Sequence, residues 1–333
     1  MSNQMKKICV VGAGAWGTAL AQSLANAGHD VLMWAREAEV VESINDHHEN
    51  KLFLEKIRLN EMIKATHNLH DTEDCDLFFI MTPAQHVRTT LTNFENILTN
   101  KPFIIGAKGI EIETGNLLSD VVEEIIPNAK FGFLSGPTFA SEIARGLPCA
   151  VTLAMNDEKI GQEIVEFIGS RTLRTYLTDD LIGVQIGGSV KNVIAIACGV
   201  VDGRKMGESA RCALITRGLA EMARLAKAMG ANKETLMGMC GVGDLMLTCS
   251  SMQSRNFSLG HALGEGKTVE EVLGPRVAVT EGVHTAKALH TMAKNNAIDM
   301  PISKAVYDFI MGEIELEDVF EQLLDRPLRL ENI

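Results

Sequence analysis

Long apolar runs are missing from this sequence of 333 residues. Its longest apolar stretches, such as residues 193–201, fall far short of the roughly 20 residues needed to span a bilayer, so no membrane helix is expected. Runs of lysine and arginine are missing too. The 31 basic residues are outnumbered by 43 acidic ones, and a net charge of -12 with no local basic cluster argues against a nucleic-acid partner. The seven cysteines are an odd number without a C-x-x-C pair, as expected of reduced thiols in a cytosol. The nine histidines make no ligand set: His47 and His48 are adjacent, and His67 and His70 fall in a loop without a matching cluster, so no metal site is expected. Neither a G-x-S-x-G motif nor a paired-acid motif suggests hydrolysis. The opening Met1-Ser2-Asn3-Gln4-Met5-Lys6-Lys7 runs straight into Ile8-Cys9-Val10-Val11 with no signal core or cleavage site, so no secretory leader is expected.

What is present is a globular composition, 46% hydrophobic and 22% charged, long enough for two domains. The first half alternates short β-branched runs with amphipathic segments, the pattern of a doubly wound, Rossmann-type α/β sheet. Strands are expected near 6–11, 29–35, 76–81, 102–107, 130–134, 148–154 and 172–177, and helices near 16–27, 38–48, 84–98, 116–126, 138–145 and 157–169. After residue 178 strand patterns stop and Ala/Leu/Met-rich helical patterns take over, near 180–201, 209–229, 232–238, 256–264, 281–294, 301–311 and 316–324. The reading is therefore a nucleotide-binding domain over 1–179 followed by an all-helical substrate domain over 180–333. No Pro/Ser-rich linker marks the join, and the sixteen methionines read as core filler.

The expected strand at Ile8-Cys9-Val10-Val11 leads into Gly12-Ala13-Gly14-Ala15-Trp16-Gly17 and then a helical run. A lone G-x-G-x-x-G is a weak signal, but between a strand and a helix it is the arrangement in which backbone N–H groups and a helix N-terminus meet a pyrophosphate. The second strand ends at Arg36-Glu37, where NAD-selective sites place an acid for the ribose hydroxyls. Arg36 suits a 2′-phosphate, which a guanidinium holds with two hydrogen bonds, so NADP(H) is favoured and NAD(H) remains possible because of Glu37. An ordinary surface arginine is the alternative.

In the helical half, Lys191 shares a helix face with Val184, Gly187, Gly188, Ile194 and Ala195. Each glycine costs roughly 1 kcal/mol against alanine inside a helix. Either the glycines admit a ligand or another backbone and the ammonium points at it, its pKa lowered by desolvation, or they serve helix packing and the lysine snorkels to solvent. The spacing leaves both open. Downstream, Gly241-Val242-Gly243-Asp244 precedes Ser254-Arg255-Asn256 at a helix start, a group that reads as a phosphate cradle or as a capped helix. Lys108-Gly109 and Gly136-Pro137-Thr138 follow expected strands, on the edge where doubly wound sheets bind ligands.

Taken together, segments 12–20, 107–111, 134–145, 187–203, 214–222, 241–257 and 280–289 resemble the soluble bacterial NAD(P)-dependent glycerol-3-phosphate dehydrogenases over nearly the whole chain. The resemblance implies reversible hydride transfer from NAD(P)H to dihydroxyacetone phosphate, giving sn-glycerol 3-phosphate for glycerophospholipid synthesis, in a cytoplasmic homodimer. It implies Lys191 as catalytic acid/base with Asp244 beside it. Lys108, Gly136, Pro137, Thr138, Ser254, Arg255 and Asn256 would complete the substrate site, with Lys191 and Asp244 touching substrate as well. Gly12, Gly14, Ala15, Trp16, Gly17, Arg36, Lys108, Ala140, Arg255, Val279 and Glu281 would line the cofactor. The sequence departs from the family at Ala15 and Thr138, where serine is usual, and across the loop 204–209. The rivals are a β-hydroxyacid dehydrogenase, told apart by phosphate dependence of the substrate, and an NADPH sensor without turnover, which would need neither Lys191 nor Asp244.

Overall fold

The computed structural model describes residues 6–274 and 280–319. They form two compact units. One contains the described residues up to Ala107 together with Ser119–Leu181; the other contains Lys108–Leu118 and the described residues from Ile182 onward.

In chain order the first unit runs β1 (Lys7–Val11), α1 (Ala15–Asn26), β2 (Asp30–Trp34), α2 (Ala38–His47), β3 (Glu49–Asn50), β4 (Leu54–Arg58), β5 (Ile63–Thr66), β6 (Leu77–Ile80), α3 (Val87–Leu98) and β7 (Phe103–Ile105). It continues with α4 (Leu118–Ile125), β8 (Phe131–Ser135), α5 (Ala140–Ala144), β9 (Cys149–Met155), α6 (Glu158–Ile168) and β10 (Leu173–Thr178). Eight of these strands make one sheet in the order β10-β9-β8-β7-β6-β1-β2-β5. Neighbours are parallel except β8 and β9, so β9 and β10 run against the rest. β6 and β8 are buried along their whole length, as strands covered on both faces must be, and this is why they read as continuous apolar runs.

The expected strands and helices of this half are all present, with ends shifted by a few residues. The structure adds three strands that the sequence reading lacks. β3 and β4 form a small antiparallel hairpin, and β5 extends the sheet beside β2. Leu54-Glu55-Lys56-Ile57-Arg58 exposes most of its side chains and β5 is only four residues long, so neither carries a clear apolar alternation.

The second unit is helical: α7 (Leu181–Gly203), α8 (Glu208–Ala228), a π-turn (Met239–Gly243), α9 (Asp244–Thr248), α10 (Arg255–Gly264), α11 (Val269–Leu273), α12 (Glu281–Asn295) and α13 (Pro301–Ile310). The segment read as helix over 232–238 is a short 3-10 turn, and the one read over 316–324 lies partly outside the described residues. α7 is the axis of this unit and is long and apolar enough to cross a membrane by length and composition, yet 94% of its apolar window is buried inside the structure. It meets α10 through paired glycines. A methyl on Gly199 would overlap the carbonyl oxygen of Phe257, and one on Gly260 would overlap that of Ile196; Gly203 and Gly264 repeat the contact one turn on. Backbone-to-backbone approach offsets the intrinsic cost of helical glycine.

The excursion Lys108–Leu118 belongs to the helical unit, although the sequence reading counts it in the first domain. Its physical reason is burial: Ile110 and Leu117 are inaccessible to solvent and join the helical core alongside Ile194, Leu289 and Met292. Glu111 and Asn116 close its turn through a backbone hydrogen bond.

Candidate active site

The glycine loop between β1 and α1 has three glycines with three different physical reasons. Gly12 sits at φ +110°, where side chains are strained, and a methyl there would stand 3.0 Å from the backbone of Met81 and Thr82. Gly17 packs on the carbonyl of Gly12 so closely that a methyl would overlap it. Gly14, by contrast, precedes α1 in extended geometry with no protein atom within 4 Å of a methyl position. The N-terminus of α1 has no capping side chain and no acid in its first turn, and the Trp16 indole N–H is buried without a partner among the described residues. An open approach at Gly14, uncapped N–H groups and a positive dipole end fit a dinucleotide pyrophosphate. The loop is held by Asn50 of β3, whose amide nitrogen donates to Ala13 O at 2.8 Å and to Thr18 Oγ1 at 2.9 Å. Sequence reasoning missed Asn50, because the hairpin that carries it is polar.

Gly12 N–H also donates to Trp34 O at the end of β2, so the loop and the β2 terminus are one backbone unit. Two residues beyond, Arg36 is exposed, and its Nε and Nη2 donate to the same oxygen of Glu37 at 3.2 and 2.9 Å. Ala140 begins α5 and packs with Trp16 against Ala19, Ile143 and Ala144. Gly136 follows β8 where a methyl would meet Val151 Cα at 2.8 Å, and Thr138 turns its hydroxyl onto Gly136 O at 3.3 Å. Glu281 opens α12, and Val279 lies outside the described residues.

The helical unit buries a charge cluster. Lys191 on α7 is 6% exposed and does not snorkel. Its Nζ donates to Asp244 Oδ1 at 2.5 Å and to Thr248 Oγ1 at 2.8 Å. Lys108, at the start of the excursion, donates to the other oxygen, Asp244 Oδ2, at 2.7 Å. Asp244 is fully buried at the first position of α9, delivered there by the π-turn, and π-turns recur at functional sites. Thr248 lies one turn further along α9; its hydroxyl donates to Asp244 O at 2.6 Å and accepts from Lys191. Sequence reasoning missed Thr248, although its i+4 spacing from Asp244 was a usable signal.

Gly187 settles part of the open question on this face. A methyl there would overlap the carbonyl of Cys240 in the π-turn, so this glycine admits backbone. Burial lowers the Lys191 pKa from 10.5 to about 8; Lys108 adds to the depression and Asp244 opposes it. One carboxylate shared by two ammoniums leaves a buried surplus of one positive charge, which favours an anionic ligand.

Two expected site residues have scaffold partners. Ser254 caps α10, accepting from Phe257 N–H at 3.2 Å. Asn256 is buried and links three elements: it donates to Asn192 Oδ1 at 2.9 Å and accepts from Gly282 N–H at 3.0 Å, while Asn192 donates to Lys108 O at 3.3 Å. Asn192 was likewise unassigned from sequence, and it connects Lys108 to the start of α12. Arg255 is exposed at the first turn of α10. Among the described residues no group of three or more His, Cys, Asp or Glu side chains could hold a metal ion.

Comparison with known proteins agrees across the chain. Residues 7–161 match the family pattern described as NAD-dependent glycerol-3-phosphate dehydrogenase N-terminus, and residues 180–321 match its C-terminus. A protein of Parvibaculum lavamentivorans named glycerol-3-phosphate dehydrogenase [NAD(P)+] is 52% identical over 99% of this chain and 100% of its own. One of the same name from Caulobacter vibrioides is 49% identical, over 98% of this chain and 99% of its own. The crystal structure of glycerol-3-phosphate dehydrogenase from Coxiella burnetii superposes with a TM-score of 0.93 at 35% identity, covering 97% of this chain and 99% of that one.

Proposed function

This chain belongs to the NAD-dependent glycerol-3-phosphate dehydrogenase family, and we propose that it interconverts dihydroxyacetone phosphate and sn-glycerol 3-phosphate with NAD(P)H. The observation that carries the reading is the buried Lys191–Asp244–Lys108 cluster. A bound nicotinamide supplies the hydride. As the carbonyl oxygen gains negative charge, Lys191 gives it the proton from Nζ, and in the reverse direction takes it back. Asp244 holds both ammoniums in place and keeps the Lys191 proton from being lost to burial. Thr248 fixes the Nζ direction as a positioning residue. The positive surplus favours a phosphate ester over an uncharged ketone, with Lys108 and Arg255 as its further contacts. Gly136, Pro137 and Thr138 complete the substrate contacts in this reading. Ser254 and Asn256 serve by shaping the start of α10.

In the same reading, the glycine loop from Gly12 to Gly17 holds the pyrophosphate, Trp16 and Ala140 flank it, and Arg36 takes a 2′-phosphate, which favours NADP(H). Residues 1–179 carry the nucleotide and 180–333 carry the substrate, with Lys108 serving the latter. A cytoplasmic homodimer supplying the backbone of glycerophospholipids is the setting this assignment carries with it.

The test follows nicotinamide absorbance with purified protein, using dihydroxyacetone phosphate or unphosphorylated dihydroxyacetone, each with NADPH and NADH. Rapid oxidation with the phosphorylated ketone alone is the expected result. Equal rates with both ketones, or none in a protein that binds NADPH, would overturn the assignment.

A further inference from the structure

Arg36 is held in a way that bears on how the two cofactors are told apart. The backbone around it is fixed: Ala35 N–H donates to Thr66 O at 2.9 Å, and Glu37 O accepts from Val40 N–H at 3.1 Å. Glu37 is the N-cap of α2, a place where an acidic side chain would ordinarily accept from the first turn, yet it makes no capping hydrogen bond. Its Oε1 is spent on Arg36 Nε and Nη2 together. Those are the paired donors that a guanidinium offers to a phosphate.

We propose that Glu37 is a specificity-determining residue that keeps this enzyme dual in cofactor use, by occupying the Arg36 donors that a 2′-phosphate needs and by accepting from the ribose hydroxyls when no phosphate is there. The inference rests on the nucleotide site assigned above. Binding of NADPH must break the Arg36–Glu37 pair and bring a dianion close to the freed carboxylate, whereas binding of NADH leaves the pair intact. Arg36 alone would make a strongly NADPH-selective site, and Glu37 alone an NADH-selective one. Together they pull the preference toward the middle. Because the Arg36 side chain is 78% exposed, the pair is weak enough for a ligand to open. The effect is therefore modest and screened by salt.

The experiment titrates NADPH and NADH directly against the full chain without substrate, comparing the native protein with Glu37→Gln and Glu37→Asp at low and high potassium chloride. Glu37→Gln keeps the shape and loses the charge, so the NADPH:NADH affinity ratio should rise about two- to fivefold at low salt, and less at high salt. Glu37→Asp retains the charge and should stay within about twofold of the native ratio. A ratio that does not move in Glu37→Gln, or that moves equally at both salt concentrations, overturns the proposal while leaving the nucleotide site standing. Failure of the native protein to bind either nucleotide overturns both. The readout needs no turnover, so a wrong substrate assignment cannot mask the result.

Discussion

Lys191 and Asp244 stand 53 residues apart in sequence and 2.5 Å apart in space, with no solvent reaching the carboxylate. Neither charge could be buried there alone, since an isolated ion in the interior carries a penalty of several kcal/mol. In the acid/base role proposed for Lys191, the group must be protonated to reduce the ketone and neutral to oxidise the alcohol, and burial, opposed by Asp244, brings its pKa down to about 8. Reduction, measured as kcat/KM, should be level below about pH 8 and fall above it, while oxidation rises through the same value. In Asp244→Asn the attraction holding the proton is gone, so the falling limb should move to lower pH. The folded state binds this proton less tightly than the unfolded chain, so the same group makes the protein more stable as pH rises from about 8 toward 10.5.

Lys191→Ala removes the proposed proton donor. Turnover should fall by about a thousandfold, within the range usual for loss of a general acid. NADPH affinity, from direct titration, should stay within about twofold of native because the glycine loop is untouched. Near-normal turnover would take Lys191 out of the reaction.

Gly14→Ala separates folding from binding. The methyl would meet no protein atom within 4 Å and the backbone there is extended, so the thermal midpoint should be unchanged. It would nonetheless stand over the N-terminus of α1, and NADPH affinity should fall about tenfold or more as the pyrophosphate loses its close approach.

Arg36→Asp replaces the guanidinium proposed to hold the 2′-phosphate with a group that accepts from ribose hydroxyls. The ratio of kcat/KM for NADPH over NADH should fall by about tenfold or more. An unchanged ratio would move the 2′-phosphate site elsewhere.

Gly260→Ala tests the helix crossing. Its methyl would overlap the carbonyl of Ile196, so α7 and α10 must be pushed apart. Overpacking of this kind costs about 1–3 kcal/mol, visible as a lower urea midpoint at constant slope.

Much of this was readable in the sequence because the signals are local. The strand, glycine loop and helix of residues 7–26 announce themselves by pattern, and the long helices by apolar period. What was not readable depends on distant partners. Asn50 looks like any polar loop residue until the hairpin places it over Ala13 and Thr18. Ser254 and Asn256 fit both a phosphate cradle and a capped helix from sequence; their hydrogen bonds to Phe257, Asn192 and Gly282 go to the scaffold. Lys191 on its apolar face could have reached solvent, and only the arrival of Asp244 and Thr248 from α9 decides that it does not.

The excursion at Lys108–Leu118 has a consequence for modularity. A nucleotide-binding half and a helical half invite recombination by a single crossover near residue 180, yet such a chimera would inherit its Lys108, Ile110 and Leu117 from the foreign parent. The helical half would then face a stranger's plug in its core and a stranger's cation on Asp244. A working hybrid has to carry this eleven-residue graft along with the helices it packs against, so this compact unit is discontinuous in the gene.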